Sequence, residues 1–277
     1  MTFLCATLRE IRAFCRLIGV FTLIGGGLLT ARLLFPCWTP ARCWRVKQGW
    51  ARLLLHVLGV RLRAPATPLP AAALIVSNHT SWLDVFVINA VTPTHFVCKY
   101  DVRDWPLIGA LVSLTGTLYI ARGSRAAAAR SAGAIAARLG GGDRVAVFPE
   151  GTTTHGERLL PFRPALFQAA VDAGVPVQPM ALRYEDAQGR PSLAPAYDGE
   201  ISFWQCLCAI ARASGLQARL TFLEPLAPNA DRRILAQQAE TQIAAELGLV
   251  RPLEEYVDRE LQDAPEISVL GSRRTEF

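Results

Sequence analysis

A histidine and an aspartate five positions apart form the most informative pair in the chain. They lie in the stretch Leu74-Ile-Val-Ser-Asn-His-Thr-Ser-Trp-Leu-Asp84, where an apolar run ends in small polar residues before His79. Five positions on a straight helix turn through about 500°, so the two side chains would point apart. They meet only if His79 lies in a loop and Asp84 in the first turns of a helix, with Thr80 or Ser81 as its N-cap. In that geometry Asp84 holds the imidazole in one tautomer, and His79 acts as a general base.

No serine or cysteine with the geometry of a nucleophile elbow stands beside this pair in the sequence. The predicted chemistry is therefore deprotonation of a substrate hydroxyl and not of a protein hydroxyl. A histidine and an aspartate at this spacing also occur by chance in many chains, so the pair gains its weight from the segments that accompany it.

Two further segments deliver polar residues where a strand is predicted to end. Arg144–Phe148 is predicted to be a strand, and the Pro-Glu-Gly turn after it places Glu150 at the carboxyl end. The short strand Thr117–Ile120 is followed by Arg122, which together with Arg125 is suited to binding a phosphate or carboxylate. The plainer interpretations are an ordinary turn with a surface glutamate and a solvated arginine pair.

Beyond residue 66, apolar runs of strand length alternate with helical patterns. Strands are predicted at Ala72–Val76, Thr94–Cys98, Thr117–Ile120, Arg144–Phe148, Val177–Leu182 and Ala218–Leu223. Helices are predicted at Trp82–Val91, Ala126–Leu139, Pro164–Ala173 and 231–247. This alternation predicts an α/β fold, a mostly parallel sheet flanked by helices, with ligands at the carboxyl ends of the strands.

The excess positive charge of the chain is confined to its N-terminal segment. Residues 1–63 contain ten Arg or Lys and one Glu, a net charge of +9, whereas the rest of the chain carries −3. A mildly acidic body argues against nucleic acid as a partner, and a basic apolar N-terminus favours an anionic membrane surface. Leu17–Ala31 has no charged residue, although its fifteen residues are fewer than the roughly 20 that span a bilayer.

A second N-terminal segment has the pattern of a basic amphipathic helix. In Ala41–Arg63, apolar residues recur at three- and four-residue spacing, with Trp44 and Trp50 at the rim of the apolar face. Together with the preceding apolar run, to which Pro36 and Pro40 join it, this segment predicts a membrane-associated helical hairpin. The alternative is an ordinary surface helix that packs on its own domain.

Prolines and cysteines indicate how the chain is organised. Pro65, Pro68 and Pro70 form a short linker, which predicts membrane-anchoring helices at 1–65, an α/β domain at 66–262 and a flexible tail at 263–277. The seven cysteines are odd in number and form no C-x-x-C motif. They are therefore predicted to be reduced thiols, with no disulfide framework and no metal site.

Four blocks, in order along the chain, resemble the glycerolipid (lysophospholipid) acyltransferases, the family typified by bacterial 1-acylglycerol-3-phosphate acyltransferase. The blocks are Asn78-His-Thr-Ser-Trp-Leu-Asp84, Gly116–Arg122, Phe148-Pro-Glu-Gly-Thr152 and Val175-Pro-Val-Gln-Pro179. The His–Asp spacing is a weak signal alone, but a Phe-Pro-Glu-Gly-Thr block about seventy residues later makes the combination specific. The resemblance covers roughly residues 40–225.

The resemblance implies transfer of a fatty acyl group from a thioester, acyl-CoA or acyl carrier protein, to the free hydroxyl of a lysolipid. It makes His79 the general base and Asp84 its orienting partner. The residues that it implies for the acceptor's head group are Arg122, Glu150, Gly151 and Thr152. It implies no resident cofactor or metal, and it places the enzyme on an anionic membrane surface, the cytoplasmic face of the inner membrane.

The third block departs from the family pattern, in which Arg-Ser often follows Gly-Thr. Here Thr153-Thr-His-Gly156 follows, a variant more similar to the lyso-ornithine lipid acyltransferases. Arg158 or Arg163 would replace the missing phosphate ligand, unless both are only surface charges. The expected function is synthesis of phosphatidic acid from 1-acylglycerol-3-phosphate, with acylation of lyso-ornithine lipid as the alternative.

Two functions from other classes fit the sequence less well. A non-catalytic membrane lipid-binding protein on the same fold has no use for an intact pair of His79 and Asp84. An interfacial hydrolase, which would use water in place of the acceptor, lacks a recognisable nucleophile.

Overall fold

The computed structural model describes residues 2–66, 69–104, 108–120, 125–199, 201–228 and 231–249. Within these ranges the helices are α1 (Thr2–Leu33), α2 (Pro40–Leu58), α3 (Asp84–Val91), α4 (Ile108–Leu114), α5 (Arg125–Gly140), α6 (Gln168–Ala173), α7 (Phe203–Arg212) and α8 (Arg232–Leu247). The strands are β1 (Arg61–Arg63), β2 (Ala73–Ser77), β3 (His95–Lys99), β4 (Leu118–Ile120), β5 (Arg144–Val147), β6 (Val177–Glu185) and β7 (Gln217–Phe222). The predicted tail at 263–277 lies outside the described residues, as does Arg122.

The seven strands form one sheet in the order β1-β7-β6-β2-β5-β3-β4. Neighbouring strands are parallel except β6 and β7, which are antiparallel. The predicted α/β fold with a mostly parallel sheet is therefore confirmed. In the centre of the sheet, β2 and β5 pair with Val76 opposite Val147, so the segments that follow these two strands begin side by side.

The strands agree with the sequence patterns to within one residue at their ends, with two exceptions. β1 was not predicted at all, and β6 continues to Glu185, three residues past its predicted end at Leu182. The extension of β6 follows from its pairing with β7, where Glu185 lies opposite Gln217. A hydrophobic run marks only the fully buried part of a strand, so a continuation that depends on a distant partner gives no local signal.

Helices cover both faces of the sheet and bury two apolar clusters. On one face, α2, α3 and α7 pack over residues such as Ile75 and Met180. On the other face, α5, α6 and α8 pack over Leu74 and Val145. Successive strand residues point to opposite faces, which is why Leu74 and Ile75 belong to different clusters.

α7 is a helix that the sequence patterns did not predict. Ser202 begins it with a capping box, in which its hydroxyl accepts a hydrogen bond from Gln205 N and the Gln205 side chain bonds back to Ser202 N. Cys206 and Ile210 are buried against the sheet, whereas Trp204 is 52% exposed. The helix is thus amphipathic and completes the layer that contains α2 and α3.

α1 and α2 form the predicted helical hairpin, with a 3₁₀ turn at Phe35–Cys37 between them. α2 ends where Gly59 adopts a left-handed φ of 72°, a conformation that glycine reaches without strain. The prediction that this helix continues to Arg63 is wrong, because Arg61–Arg63 is strand β1 and pairs with β7. The division between anchor and α/β domain stays a prediction, although the end of the segment 1–65 contributes a strand to the sheet.

α1 is attached to the rest of the protein along much of its length. Arg16 donates hydrogen bonds to Ala211 O at 2.9 Å, in the last turn of α7, and to Ala213 O at 2.8 Å, just beyond its end. Trp50 Nε1 on α2 donates to Leu23 O at 3.0 Å. These bonds satisfy terminal carbonyls of α7 and the indole N–H, so α1 lies against the domain instead of extending from it.

The outward face of α1 carries a continuous apolar stripe. Its members are more than half exposed: Leu8, Ile11, Phe14, Ile18, Phe21, Leu29 and Leu33. Among the described residues, the stretch Ala6–Cys37 is the one helical segment long and apolar enough to cross a membrane by length and composition. Only 11% of its most apolar part is buried, so the helix is not a core helix of the fold. An exposed apolar surface of this length indicates contact with lipid.

Gly27 allows α1 and α2 to approach closely. A Cβ atom at Gly27 would lie 2.7 Å from Trp50 Nε1, whereas a Cβ at the neighbouring Gly26 would have no heavy atom within 4 Å. We expect Gly27→Leu to displace Trp50 and to lower the free energy of unfolding by about 1–3 kcal/mol. Gly26→Leu should leave stability unchanged or raise it, because leucine favours helix over glycine. Thermal unfolding in detergent micelles compares the two, and equal midpoints would contradict this packing.

Candidate active site

The polar residues that follow β2 and β5 come together at the carboxyl edge of the sheet. His79 lies two residues beyond the end of β2, and Glu150 lies three residues beyond the end of β5. The Glu150 Oε1 atom accepts a hydrogen bond from His79 N at 2.7 Å. Two segments about seventy residues apart in sequence are therefore joined directly, as the pairing of β2 and β5 requires.

His79 and Asp84 form the predicted pair. His79 Nδ1 lies 2.8 Å from Asp84 Oδ2, with the histidine in the loop and the aspartate as the first residue of α3. An ionised carboxylate only accepts hydrogen bonds, so Nδ1 carries the proton and Nε2 has the free lone pair. The His79 side chain is 20% exposed, whereas Asp84 is fully buried. The geometry is that of a general base whose tautomer is set by a buried acid.

Asp84 receives four hydrogen bonds. Besides His79, Oδ2 accepts from Thr80 N at 2.8 Å and Ser81 N at 2.9 Å, and Oδ1 accepts from the Tyr184 hydroxyl at 2.7 Å. Thr80 or Ser81 was predicted to cap α3, but the N-cap residue is Leu83, and its side chain makes no cap hydrogen bond. Instead, the side chain of Asp84, inside the helix, accepts hydrogen bonds from the backbone amides of Thr80 and Ser81. A carboxylate at the start of a helix also interacts favourably with the helix dipole.

The ring of His79 has a fixed orientation. It stacks on Phe148, with ring centroids 3.9 Å apart and an angle of 8° between the planes. The backbone of His79 is held as well, because its carbonyl accepts a hydrogen bond from Thr154 N at 2.9 Å. Stacking on one side and the Asp84 bond at the edge leave the ring little freedom, so Nε2 points in one direction before substrate arrives.

Glu150 is buried, and both of its oxygens are engaged by backbone amides. Oε1 accepts from His79 N, and Oε2 accepts from Leu160 N at 2.9 Å. Burial raises the pKa of Glu150 to about 8, with the nearby charge of Asp84 adding to the rise and the two amide hydrogen bonds opposing it. In this structure Glu150 ties the loop after β5 to the His79 loop, and its predicted contact with a head group stays a prediction.

The other predicted head-group residues differ in their placement. Gly151 has a positive φ of 74°, and a Cβ there would lie 2.8 Å from the Arg163 guanidinium carbon, so this arginine packs directly on the turn. Thr152, which directly follows Gly151, is exposed, and so is Arg158. The Arg122 prediction falls outside the described residues. The structure thus brings Gly151, Thr152 and Arg163 together near the His79 loop.

Two residues support the site in a way that the sequence patterns did not predict, although Asn78 opens the first of the four blocks. Tyr184, near the end of β6, donates to Asp84, and Asn78 forms a two-way amide bond with the backbone of Leu182 at 2.8 and 2.9 Å. The available signal was the alternation of Met180, Leu182 and Tyr184 on one face of β6, since a buried tyrosine usually has a hydrogen-bond partner. The partner itself could not be identified without the fold.

The arrangement has the chemistry of base-catalysed group transfer. Nε2 of His79 can take a proton from a hydroxyl, and Asp84 stabilises the imidazolium that results. Within the described residues, no cluster of three or more His, Cys, Asp or Glu side chains is placed to hold a metal ion. The fold and the site therefore define an α/β enzyme with a His–Asp dyad at the carboxyl edge of a mostly parallel sheet.

Comparison with known proteins identifies the family. The sequence model of the family described as Acyltransferase matches residues 63–183. The 1-acyl-sn-glycerol-3-phosphate acyltransferase of Neisseria meningitidis serogroup B is 36% identical over 190 residues, which cover 68% of this chain and 74% of the relative. The lyso-ornithine lipid O-acyltransferase of Pseudomonas aeruginosa is 35% identical over 241 residues, which cover 85% of this chain and 92% of that relative. The chain therefore belongs to this acyltransferase family.

A solved structure supports the fold. The crystal structure of the 1-acyl-sn-glycerophosphate acyltransferase from Thermotoga maritima aligns with a TM-score of 0.60 at 16% identity, over 92% of this chain and 98% of that chain. The similarity extends over nearly the whole of both chains, so it includes the region of the N-terminal hairpin as well as the sheet. The predicted family, fold class and acyltransferase activity are thus confirmed.

The raised pKa of Glu150 predicts a pH-dependent stability. Between pH 4.5, its ordinary pKa, and about pH 8, the folded state holds a proton that the unfolded chain has released. The contribution to stability is therefore complete at low pH and is lost as the pH rises through this window, by at most about 1.4 kcal/mol per pH unit. Glu150→Gln cannot ionise, so its unfolding midpoint should fall less between pH 5 and pH 8 than that of the unchanged protein. Parallel midpoint curves would contradict the shift.

Proposed function

We propose that this enzyme transfers a fatty acyl group from an acyl thioester to the free hydroxyl of 1-acylglycerol-3-phosphate, giving phosphatidic acid. The observation that carries the proposal is the His79–Asp84 pair, with Nδ1 bound to the carboxylate and Nε2 free. The relative from Neisseria meningitidis, whose name states this acceptor, supports the choice. The donor is acyl-CoA or acyl carrier protein, and the proposed reaction uses no resident cofactor.

The proposed reaction needs one base and no covalent intermediate. His79 Nε2 removes the proton of the acceptor hydroxyl as its oxygen attacks the thioester carbonyl. The new C–O bond forms, the C–S bond breaks, and the imidazolium returns the proton to the leaving thiolate, which departs as a thiol. A thioester is electrophilic enough for direct attack, so the main contributions are orientation and proton transfer.

The turn after β5 is the proposed site for the acceptor's head group. We assign Arg122, Glu150, Gly151 and Thr152 to it, as the resemblance implies. Arg163 supplements them, because its guanidinium lies on Gly151. Arg158 is exposed, and it is the Arg158 carbonyl, not the guanidinium, that accepts a hydrogen bond from the Thr154 hydroxyl. An arginine in this position suits a phosphate, which it binds with two parallel hydrogen bonds.

Lyso-ornithine lipid is the second candidate acceptor. The Pseudomonas aeruginosa relative named for this acceptor aligns over a larger share of both chains than the Neisseria relative does. The segment Thr153–Gly156 also lacks the arginine that often follows Gly-Thr in the family. The two acceptors differ in charge at the head group, so they make different demands on Arg163.

The proposed location is the cytoplasmic face of the inner membrane. The apolar stripe of α1 and the net charge of +9 in residues 1–63 suit an anionic leaflet. A lysolipid acceptor and a soluble thioester donor meet at such a surface. The alternative from another class of protein is a non-catalytic membrane lipid-binding protein. Such a protein would not need a histidine oriented by Asp84, as His79 is.

An assay of acyl transfer tests the proposed function. Purified protein in mixed micelles is offered radiolabelled acyl-CoA or acyl carrier protein with lysophosphatidic acid and, separately, lyso-ornithine lipid. We expect product from lysophosphatidic acid, and a loss of about 10²–10⁴-fold in His79→Ala, because the general base is removed. His56→Ala is the matched control, since His56 is an exposed histidine on α2. Product from lyso-ornithine lipid alone would favour the second acceptor, and full activity of His79→Ala would refute the mechanism.

The membrane surface of α1 can be tested separately. Phe21 is 51% exposed in the apolar stripe, and Ile234 is 49% exposed on α8, across the sheet from α1. Phe21→Glu should weaken binding to anionic vesicles by roughly tenfold or more, because a charge replaces a buried apolar side chain in the interface. Ile234→Glu should have no effect. Vesicle flotation measures both, and equal retention would count against contact of α1 with the membrane.

A further inference from the structure

The hydroxyl of Tyr184 is the one side-chain donor, apart from His79, among the described contacts of the Asp84 carboxylate. It lies 2.7 Å from Oδ1, whereas the other three donors all bind Oδ2. Tyr184 is 4% exposed and packs in the apolar cluster between the sheet, α3 and α7. It belongs to none of the four sequence blocks that carry the family resemblance.

We propose that Tyr184 is a positioning residue for the proposed acyl transfer, which it serves by holding Asp84 in the orientation that aligns His79. The inference rests on the proposed function. Tyr184 acts through Asp84, and no contact of its own with a substrate is required.

The first argument is the geometry of the carboxylate. The carboxylate turns about its bond to Cβ as a rigid group, so any turn moves Oδ1 and Oδ2 together. The three donors on Oδ2 and the bond from Tyr184 to Oδ1 hold the group at both of its oxygens, and the Tyr184 bond opposes such a turn from the side opposite His79. His79 Nδ1 shares Oδ2 with Thr80 N and Ser81 N, so a tilt of the carboxylate would lengthen the His79 bond. Loss of one donor to a buried charged acceptor also costs more free energy than the same loss at an acceptor exposed to water.

The second argument is that Tyr184 keeps its proton. Burial and the neighbouring Asp84 charge raise the pKa of Tyr184 well above its usual value. The hydroxyl is therefore a donor throughout the range in which an enzyme operates. The phenol is therefore the donor and Asp84 Oδ1 the acceptor in this bond.

The third argument is that Tyr184 lies in β6, the strand that also binds Asn78 at the start of the His79 loop. Asn78, directly before His79, bonds to both the N–H and the carbonyl of Leu182. Leu182 and Tyr184 lie two residues apart on the same face of β6, and β7 fixes their positions by pairing Leu182 with Leu220 and Tyr184 with Ala218. One strand therefore holds the loop at Asn78 and at Asp84, on either side of His79.

Two other titratable groups face this pair. The Cys206 thiol, on α7, has a pKa raised by burial, and its Sγ lies 3.4 Å from Pro195 O. Glu150, from the loop after β5, has a pKa raised to about 8. Both groups are present in the unchanged protein and in a variant that lacks only the Tyr184 hydroxyl, so a difference between the two pH profiles reports on the lost hydroxyl and not on the titration of Cys206 or Glu150.

The test is Tyr184→Phe, which removes one oxygen and keeps the ring. We expect kcat to fall roughly tenfold with unchanged KM for both substrates, since a hydrogen bond to a charged group is lost and binding is not. The acid limb of kcat against pH should move to higher pH, because a carboxylate with fewer donors attracts the imidazolium more strongly. Thr221→Val is the control, since it removes a hydroxyl from β7 that bonds to Glu246 and not to the site.

A purely structural role of Tyr184 gives different results. It lowers the unfolding midpoint of Tyr184→Phe but leaves the acid limb where it is, and that outcome would overturn the proposal. A double-mutant cycle adds a second criterion: in the Asp84→Asn background, Tyr184→Phe should have little further effect on kcat. Additive losses would show that Tyr184 does not act through Asp84.

One measurement does not depend on turnover. The ring resonances of His79, assigned by their absence in His79→Ala, can be titrated by NMR in detergent micelles. Tyr184→Phe should move the titration midpoint of His79 to higher pH, whereas Thr221→Val should not. If the His79 midpoint shifts but the protein transfers no acyl group, the role of Tyr184 is supported and the proposed function is refuted. If the protein transfers acyl groups but the midpoint does not shift, the proposed function is supported and the role of Tyr184 is refuted.

Discussion

The structure of the site depends on the burial of one negative charge. The Asp84 carboxylate has no exposed surface, and an ion in that position is stable only if its oxygens are fully hydrogen-bonded. Two of the donors are amides of the preceding loop, one is the ring of His79, and one comes from a distant strand. Satisfying this charge therefore imposes the shape of the loop, the start of α3 and the orientation of the base.

β6 is the strand that connects these requirements. It lies between β2, which leads into the His79 loop, and β7, with which it forms the antiparallel pair of the sheet. Its backbone binds Asn78 and its tyrosine binds Asp84, so the loop is fixed to the centre of the sheet at both ends. Glu150 joins the neighbouring loop to His79 from the other side. The base is thus held by three strands that are far apart in sequence.

The N-terminal hairpin belongs to the same layer as α3, the helix that begins with Asp84. α2 packs with α3 and α7 on one face of the sheet, and α1 covers this layer with its apolar stripe outward. The side of the fold that carries Asp84 is therefore also the side that presents apolar surface to lipid. The hairpin and the sheet form one fold, because β1 continues directly from α2 and pairs with β7.

The sequence by itself determined the elements whose signals are local. The apolar runs of β2 and β5, the loop with His79 ahead of Asp84, the Pro-Glu-Gly turn and the helical hairpin all follow from periodicity, turn residues and charge. The family motifs made the acyltransferase assignment possible from the same residues. Such features need only a few neighbouring positions, which is the range over which backbone preferences and amphipathicity act.

Only the tertiary structure decided which groups surround the charge. Strand β1 was predicted as helix because a short edge strand depends on its pairing with β7 and has little pattern of its own. Glu150 was predicted at a surface or at a head group, but the pairing of β2 with β5 brings its oxygens to the amides of His79 and Leu160. Tyr184 meets Asp84 across a hundred residues. Contacts of this kind arise from sheet order and register, which no local pattern in a chain encodes.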